Sequence, residues 1–514
     1  MTLPTPPITR RATLGLLGAS ALVPALPRPA EAQQKPMRMD LAAFLQDDNR
    51  VNSLLAAFDV IRSRPPSHPG SWFFQAAVHG VTSEAVATAE LEDPEVANVD
   101  QARFWNQCPH FGQNSANFLP WHRAYLMYFE RILREAAGDP TLAIPYWDYH
   151  DPAQRTFPGI FAPESFGQAP NEIPNPLFHP SRDLGFAFGV FQLTEPAVDI
   201  SQPMNTAEFF SLVGNEGFAG GIADDAGGTQ GLLEAGVHNL LHFAVGGVVG
   251  DATGAMGSVP TAAFDPIFWV HHATIDRLWT EWMCGAGRNW GALPDFDWFD
   301  ATPWEFHDET GAVQTPSRRS MMDHRDLGYV YDTDNPACMP LVLPDEPILV
   351  ASANRPSEIL ARGGTNTRIA ADPLAVTLDV ADKSETDTVL VEISGIRIDA
   401  PLSMGYDVYL LDNPEVTADR SSPSYLGTLA LFGLNHHAVG SEHSGSTQTF
   451  DATAAMAALD DPGRAVVVIR PFDLLTPTAV AARTGLATDF VAERAANPGA
   501  LSIEGVAILR LQTH

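Results

Sequence analysis

The chain has 514 residues, with 62 acidic against 30 basic side chains and a formal net charge of −32. That balance excludes a nucleic-acid backbone and an anionic membrane surface as partners, because both need a basic face. At 45% hydrophobic and 18% charged residues the composition is globular, and the length allows more than one domain. Histidine is abundant at 16, whereas there are only 3 cysteines.

Residues 9–14 read Thr-Arg-Arg-Ala-Thr-Leu, an apolar run follows over residues 14–26, and Ala30-Glu31-Ala32 precedes Gln33. A run this short does not span a bilayer, so residues 1–32 read as a cleaved signal peptide. The Arg10-Arg11 pair is similar to a twin-arginine export signal, with an ordinary secretory signal as the alternative. The mature chain is expected to start near Gln33, to carry a charge near −34, and to be exported to a periplasmic or extracellular space without a membrane anchor.

Beyond that, residues 33–331 alternate helical patches with long connections. Residues 72–79 end at Gly80, a helix stop. Residues 118–137, 232–245 and 268–282 carry apolar side chains at three- and four-residue spacing and predict helices. Residues 151–200 and 211–231 are rich in Pro, Gly and Asn and read as loops. A linker is expected over residues 332–364, dotted with Pro336, Pro340, Pro344, Pro347 and Pro356. Short β-branched and aromatic runs follow at 374–380, 388–396, 406–410, 425–432, 465–470 and 506–511. They predict an antiparallel β-sandwich or barrel over residues 365–514, after a mainly α domain.

The chemistry-bearing residues are histidines. His238 and His242 stand four apart, so a helix places both imidazoles on one face, where they can share a metal. Of the adjacent His271 and His272, only one can face the same point. His122 opens a further helix, His110 lies twelve residues before it, and His79 ends the 72–79 patch. A set of imidazoles with no cysteine pair favours copper or zinc. Two groups of three, His79/His110/His122 and His238/His242/His272, would make a two-metal site, with metals typically ~3.5–4 Å apart.

Cys108-Pro109-His110, Phe118-Leu119-Pro120-Trp121-His122-Arg123 and the run from Phe264-Asp265-Pro266 through His271-His272 to Asp276-Arg277-Leu278-Trp279 resemble the two signatures of the type 3 copper family of tyrosinases, catechol oxidases and haemocyanins. Pro145-Tyr146-Trp147-Asp148 is similar to the family's connecting segment. Residues 297–331 resemble the tail after the catalytic domain of plant polyphenol oxidases, and Tyr406-Asp407-Val408 resembles part of their C-terminal region. The resemblance implies a four-helix-bundle core with long loops holding two copper ions, one on His79, His110 and His122 and one on His238, His242 and His272, with His271 beside them. The chain departs from the family pattern in the interval from His110 to His122, which is three residues longer.

The resemblance assigns further roles. Cys108 stands where some members link a cysteine to a histidine by a thioether, here His110; an inert thiol or half of a disulfide is the alternative reading. With Cys108 so used, Cys284 and Cys338 remain as a pair able to bridge. Asp276, four after His272, is expected to pair with Arg123 between two copper-bearing helices, and Arg277 and Glu130 are read as structural. Glu234 and Asn239 stand where relatives hold a water that deprotonates an incoming phenol, a sensible task for a carboxylate and an amide; Glu234 is equally readable as an N-terminal helix carboxylate. Phe243 falls where members vary substrate access. His436, His437 and His443 read as surface loop residues, and His68, His150, His179, His307, His324 and His514 receive no role.

The implied function is a copper-dependent polyphenol oxidase that uses O2 to oxidise o-diphenols to o-quinones and can also hydroxylate monophenols. The alternative is a haemocyanin-like oxygen-binding protein. The Pro-rich linker further suggests that the β domain caps the copper site and keeps the enzyme latent.

Overall fold

A computed structural model describes residues 35–110, 115–168, 171–211, 217–221, 229–291, 296–343, 357–380, 388–434, 446–485, 487–496 and 499–511. Residues 1–32, expected to be a signal peptide, and His436, His437, His443 and His514 lie outside the described residues. Five helices position the site: α1 (Asp48–Ser63), α2 (Trp72–His79), α3 (Phe118–Ala137), α4 (Asn239–Gly246) and α5 (Ile267–Met283). Among the described residues no helix is long and apolar enough to cross a membrane.

Helix α3 is buried on nearly all sides over its first four turns and packs between α1 and α5. Its aromatics supply the contact: Phe129 stacks on Trp269 of α5 at 3.5 Å between ring centroids, and Tyr125 lies 4.6 Å from the same indole. Large rings in close contact bury much apolar area with few rotamers to lose, which favours a rigid frame.

Below the aromatic layer lies a charged one. Asp276 on α5 accepts from Arg123 Nε on α3 at 2.5 Å, from Arg38 Nη1 at 2.8 Å, and from the Tyr329 and Tyr331 hydroxyls at 2.7 Å each. Arg38 also donates to Glu130 on α3 at 2.8 Å. A two-residue parallel pairing of Met37–Arg38 with Val330–Tyr331 brings these partners from opposite ends of the helical region. Burial alone would raise the Asp276 carboxyl, but Arg123, Arg38 and the two hydroxyls outweigh it and hold it down to about 2. Arg277 pairs instead with Glu281 and Asp148.

The helix expected over residues 232–245 is interrupted. Glu234–His238 forms a wide π-type turn, and Gly236, at φ −81° and ψ −116°, leaves helical geometry altogether. Glu234 comes within 3.0 Å of His110 across this turn. π-Turns of this kind concentrate at functional sites because they re-aim side chains.

The C-terminal region builds two open four-stranded antiparallel sheets. With β1 reserved for Phe191–Leu193 in the helical region, the strands are β2 (Ser357–Ile369), β3 (Leu374–Asp379), β4 (Thr388–Ala400), β5 (Met404–Leu411), β6 (Tyr425–Thr428), β7 (Ser446–Asp451), β8 (Arg464–Asp473), β9 (Leu475–Pro477) and β10 (Ala500–Leu511). One sheet runs β2-β10-β4-β7 and the other β3-β8-β5-β6. Neither closes among the described residues, so the barrel alternative is set aside. Strand β2 starts at Ser357 inside the expected linker, which shortens it, and residues 429–432 leave the sheet after β6.

The two regions join in one unit, Pro36–His514. Strand β9 pairs antiparallel with β1, and Arg494 of helix α6 (Thr488–Ala496) reaches Asp183 at 2.5 Å. Cys284 at the end of α5 is bridged to Cys338.

Replacing Asp276 with Asn should leave two buried guanidinium groups undercompensated and destabilise the protein by about 3–5 kcal/mol, read by urea denaturation. A carboxyl with a depressed folded-state pKa contributes stability above its unfolded value near 4 and loses it as pH falls through about 2. The variant should therefore lack that part of the acid decline.

Candidate metal centre

His238, His242, His271 and His272 each bring a ring nitrogen within 4.8 Å of the others, all buried. His79, Cys108 and His122 form a second such group. The groups face each other: the rings of His122 and His272 stack at 4.3 Å, and those of His110 and His238 lie 5.6 Å apart.

Each ring is oriented by its outer nitrogen. The Nδ1 of His79 lies 3.0 Å from the Val259 carbonyl oxygen, that of His122 2.8 Å from Phe118 O, and that of His242 2.7 Å from Met256 O. The Nδ1 of His238 lies 3.0 Å from Asn239 Oδ1. The three backbone carbonyls can only accept, so the Nδ1 of His79, His122 and His242 carries the hydrogen, and with the Asn239 amide oxygen turned to it the Nδ1 of His238 does too; in a neutral ring the Nε2 then keeps its lone pair. The Nε2 atoms of His238 and His242 then face each other at 3.1 Å, two acceptors with no hydrogen between them. Neither nitrogen of buried His272 has a hydrogen-bond partner. Such an arrangement is costly for a bare protein and suits a cation between the rings.

Electrostatics agree. Burial, followed by neighbouring histidines, pushes His238, His242 and His272 well below the ordinary imidazole range, so all three are neutral ligands at neutral pH. Burial lowers His122 too.

His110 is placed differently from its two sequence partners. Its Nδ1 is 3.2 Å from the Cys108 sulfur, and its Nε2 is 3.0 Å from Glu234 Oε1 without the alignment of a hydrogen bond. Cys108, rather than His110, stands in the compact group with His79 and His122. His271 lies with its Nδ1 3.2 Å from the Tyr149 hydroxyl and its ring stacked on His238 at 5.4 Å. Arg123 and Asp276 meet in the charged layer beneath. Glu234 Oε2 has no partner, while both ends of the Asn239 amide are occupied, the second by Gln230 Oε1 at 2.7 Å.

A residue far along the chain completes the site. Phe432, fully buried, stacks on His242 at 4.0 Å between centroids with an interplanar angle of 17°, and lies 5.2 Å from His110 and 6.0 Å from Phe243. It sits on a turn closed by Leu434 N to Leu431 O at 3.3 Å. The turn needs Gly433: its φ is +91°, and a Cβ there would meet His110 Cδ2 at 3.1 Å. Phe432, Gln230 and Tyr149 were not found from the sequence. Phe432 and Tyr149 act across long chain separations, and Gln230, nine residues before Asn239 and 202 before Phe432, has no local spacing signal.

Residues 69–284 match the model of the common central domain of tyrosinase. Tyrosinase HcTyr1 of Hahella sp. (strain CCB-MM4) is 33% identical over 302 residues, which is 55% of this chain and 61% of that protein. Through residues 69–284 the chain is similar to the tyrosinase and polyphenol oxidase family, and it spans about three fifths of the length of that relative. The chloroplastic polyphenol oxidase of Malus domestica is 26% identical over 451 residues, covering 80% of this chain and 70% of the relative. Among solved structures, latent apple tyrosinase matches with a TM-score of 0.59 at 22% identity, over 95% of this chain and 99% of that one. At that identity the match shows the fold, a helical core followed by a C-terminal β region. The two clusters fit the dinuclear copper centre of this family.

Copper titration followed by elemental analysis should reach two ions per chain. A plateau at one would contradict a two-metal site.

Proposed function

We propose that the protein is a copper-dependent polyphenol oxidase that converts o-diphenols to o-quinones with O2 and also hydroxylates monophenols. The observation that carries this reading is the convergence of buried imidazoles, with the Nε2 atoms of His238 and His242 facing each other at 3.1 Å and neither nitrogen of His272 hydrogen-bonded. In this proposal His79, His110 and His122 hold one copper, and His238, His242 and His272 hold the other. When bound, the copper pair supplies O2 binding and accepts the two electrons each o-diphenol gives up. The two phenolic protons must also leave. Glu234, with a free carboxylate oxygen, and Asn239 are proposed to hold the water that takes the first of them. Phe268 at 4.8 Å from His79 and 4.1 Å from His272 walls the site and excludes water. A haemocyanin-like carrier has no observation in its favour here.

The architecture is proposed as a four-helix-bundle core within residues 33–331, capped by a β-sandwich over residues 365–514. Phe432 is the capping side chain, lying flat on His242 where a phenol ring would stack, so the intact chain is latent. Residues 1–32 are proposed to direct export by the twin-arginine route. Cys108, already against His110, is proposed to form the thioether, which a tryptic peptide lighter by two hydrogen atoms would reveal.

The copper-loaded chain should produce quinone from catechol, followed optically. Phe432→Ala in the full-length chain should raise that rate about tenfold or more by removing the cap; an unchanged rate would sink the latency proposal. Asn239→Leu should weaken monophenol hydroxylation more than diphenol oxidation, and equal losses would remove the water-holding role.

A further inference from the structure

Gln230 links the capping turn to the copper-facing histidine. The chain of hydrogen bonds has a forced direction. His238 turns its Nε2 lone pair inward, so its Nδ1–H donates to Asn239 Oδ1. Asn239 must then present its Nδ2 hydrogens, and these reach Gln230 Oε1 at 2.7 Å. That leaves the Gln230 amide nitrogen as a donor, and it points at the Phe432 carbonyl oxygen at 3.4 Å. Amide ends are often interchangeable on geometry alone, but a copper on His238 Nε2 would keep the hydrogen on Nδ1 and so fix them both.

The backbone of Gln230 is held in place. It bridges Gly220, where φ is +114° and an added Cβ would lie 2.4 Å from Thr229 O. Only glycine permits so close an approach. The side chain therefore starts from a fixed point beside the site, and it is half-buried rather than freely mobile. The turn at its other end is also braced, by the Gln448 amide clasping Ala430 N and O at 2.9 and 2.6 Å.

We propose that Gln230 is a phenol-positioning residue whose Nε2–H is held by the Phe432 carbonyl while the cap is seated and is passed to the phenolic oxygen of the substrate when the cap withdraws. This rests on the polyphenol oxidase reading and adds the group that orients the substrate. The donor cannot serve both acceptors, so cap and phenol compete for one hydrogen bond as well as for one space. Throughout, Gln230 Oε1 keeps Asn239, and through it His238, in register. A donor left unpaired in a half-buried pocket costs free energy, so an opened site favours a ligand bearing an acceptor oxygen at that point.

Two substitutions separate the functions. Gln230→Glu keeps an acceptor for Asn239 but removes the donor; Gln230→Met removes both at similar length. In the copper-loaded full-length chain, amide hydrogen exchange of peptides spanning residues 429–434 should speed roughly five- to tenfold in both variants, the worth of one hydrogen bond. In the full-length Phe432→Ala background, where loss of the ring that seats the turn on His242 lets the residue-432 carbonyl withdraw, adding Gln230→Glu should raise KM for catechol by a similar factor while kcat stays within about twofold. Unchanged exchange in both variants, or an unchanged KM, overturns the proposal. If no variant oxidises any phenol, the polyphenol oxidase reading fails, and the exchange comparison still decides whether Gln230 holds the cap.

Discussion

The structure depends on where the outer nitrogens of the histidines are anchored. Three backbone carbonyls, of Val259, Phe118 and Met256, and one side-chain amide, of Asn239, take up the Nδ1 hydrogens. Those four bonds point four lone pairs inward. A metal then meets ligands already in place, and little rotamer entropy remains to be lost on binding. Val259 and Met256 lie on the short segment after α4, while Phe118 starts α3, so the acceptors come from the same frame that supplies the ligands.

That frame must hold α3 and α5 at a fixed separation, since His122 and His272 are stacked across it. Dispersion among Phe129, Tyr125 and Trp269 supplies the contact, and Asp276 supplies the register. A buried carboxylate between two arginines and two tyrosines is weak evidence of net stability, because desolvation offsets much of the attraction. Its directional bonds do define one relative placement of the helices. The C-terminal region is attached in a different way, through the β1–β9 ladder, the Arg494–Asp183 pair and the ring of Phe432. The first two hold it from outside, and the third reaches the metal centre itself.

The sequence made the local features legible. Residues 118–137 emerge as one helix with the expected bounds, and the spacing of His238 and His242 places them on a single cluster as read. The segment before them was less legible, because Gly236 signals a possible break without saying that a π-turn would carry Glu234 to His110. The β strands with alternating apolar residues were recognisable, whereas residues 357–364, the first part of β2, with their glycines and polar residues, passed for linker. Cys108 reads as a neighbour of His110, but only the folded backbone shows its sulfur between His79 and His122. Phe432 and Gln230 depend on contacts spanning some two hundred residues, and periodicity carries no information at that range.

One measurement bears most directly on the claim that oriented imidazoles, and not the Cys108 sulfur, hold a copper pair. X-ray absorption of the copper-loaded full-length chain should show shells of nitrogen or oxygen neighbours only, with a copper–copper vector at ~3.5–4 Å. A sulfur shell at about 2.3 Å, or the absence of any copper–copper vector at full loading, would contradict it.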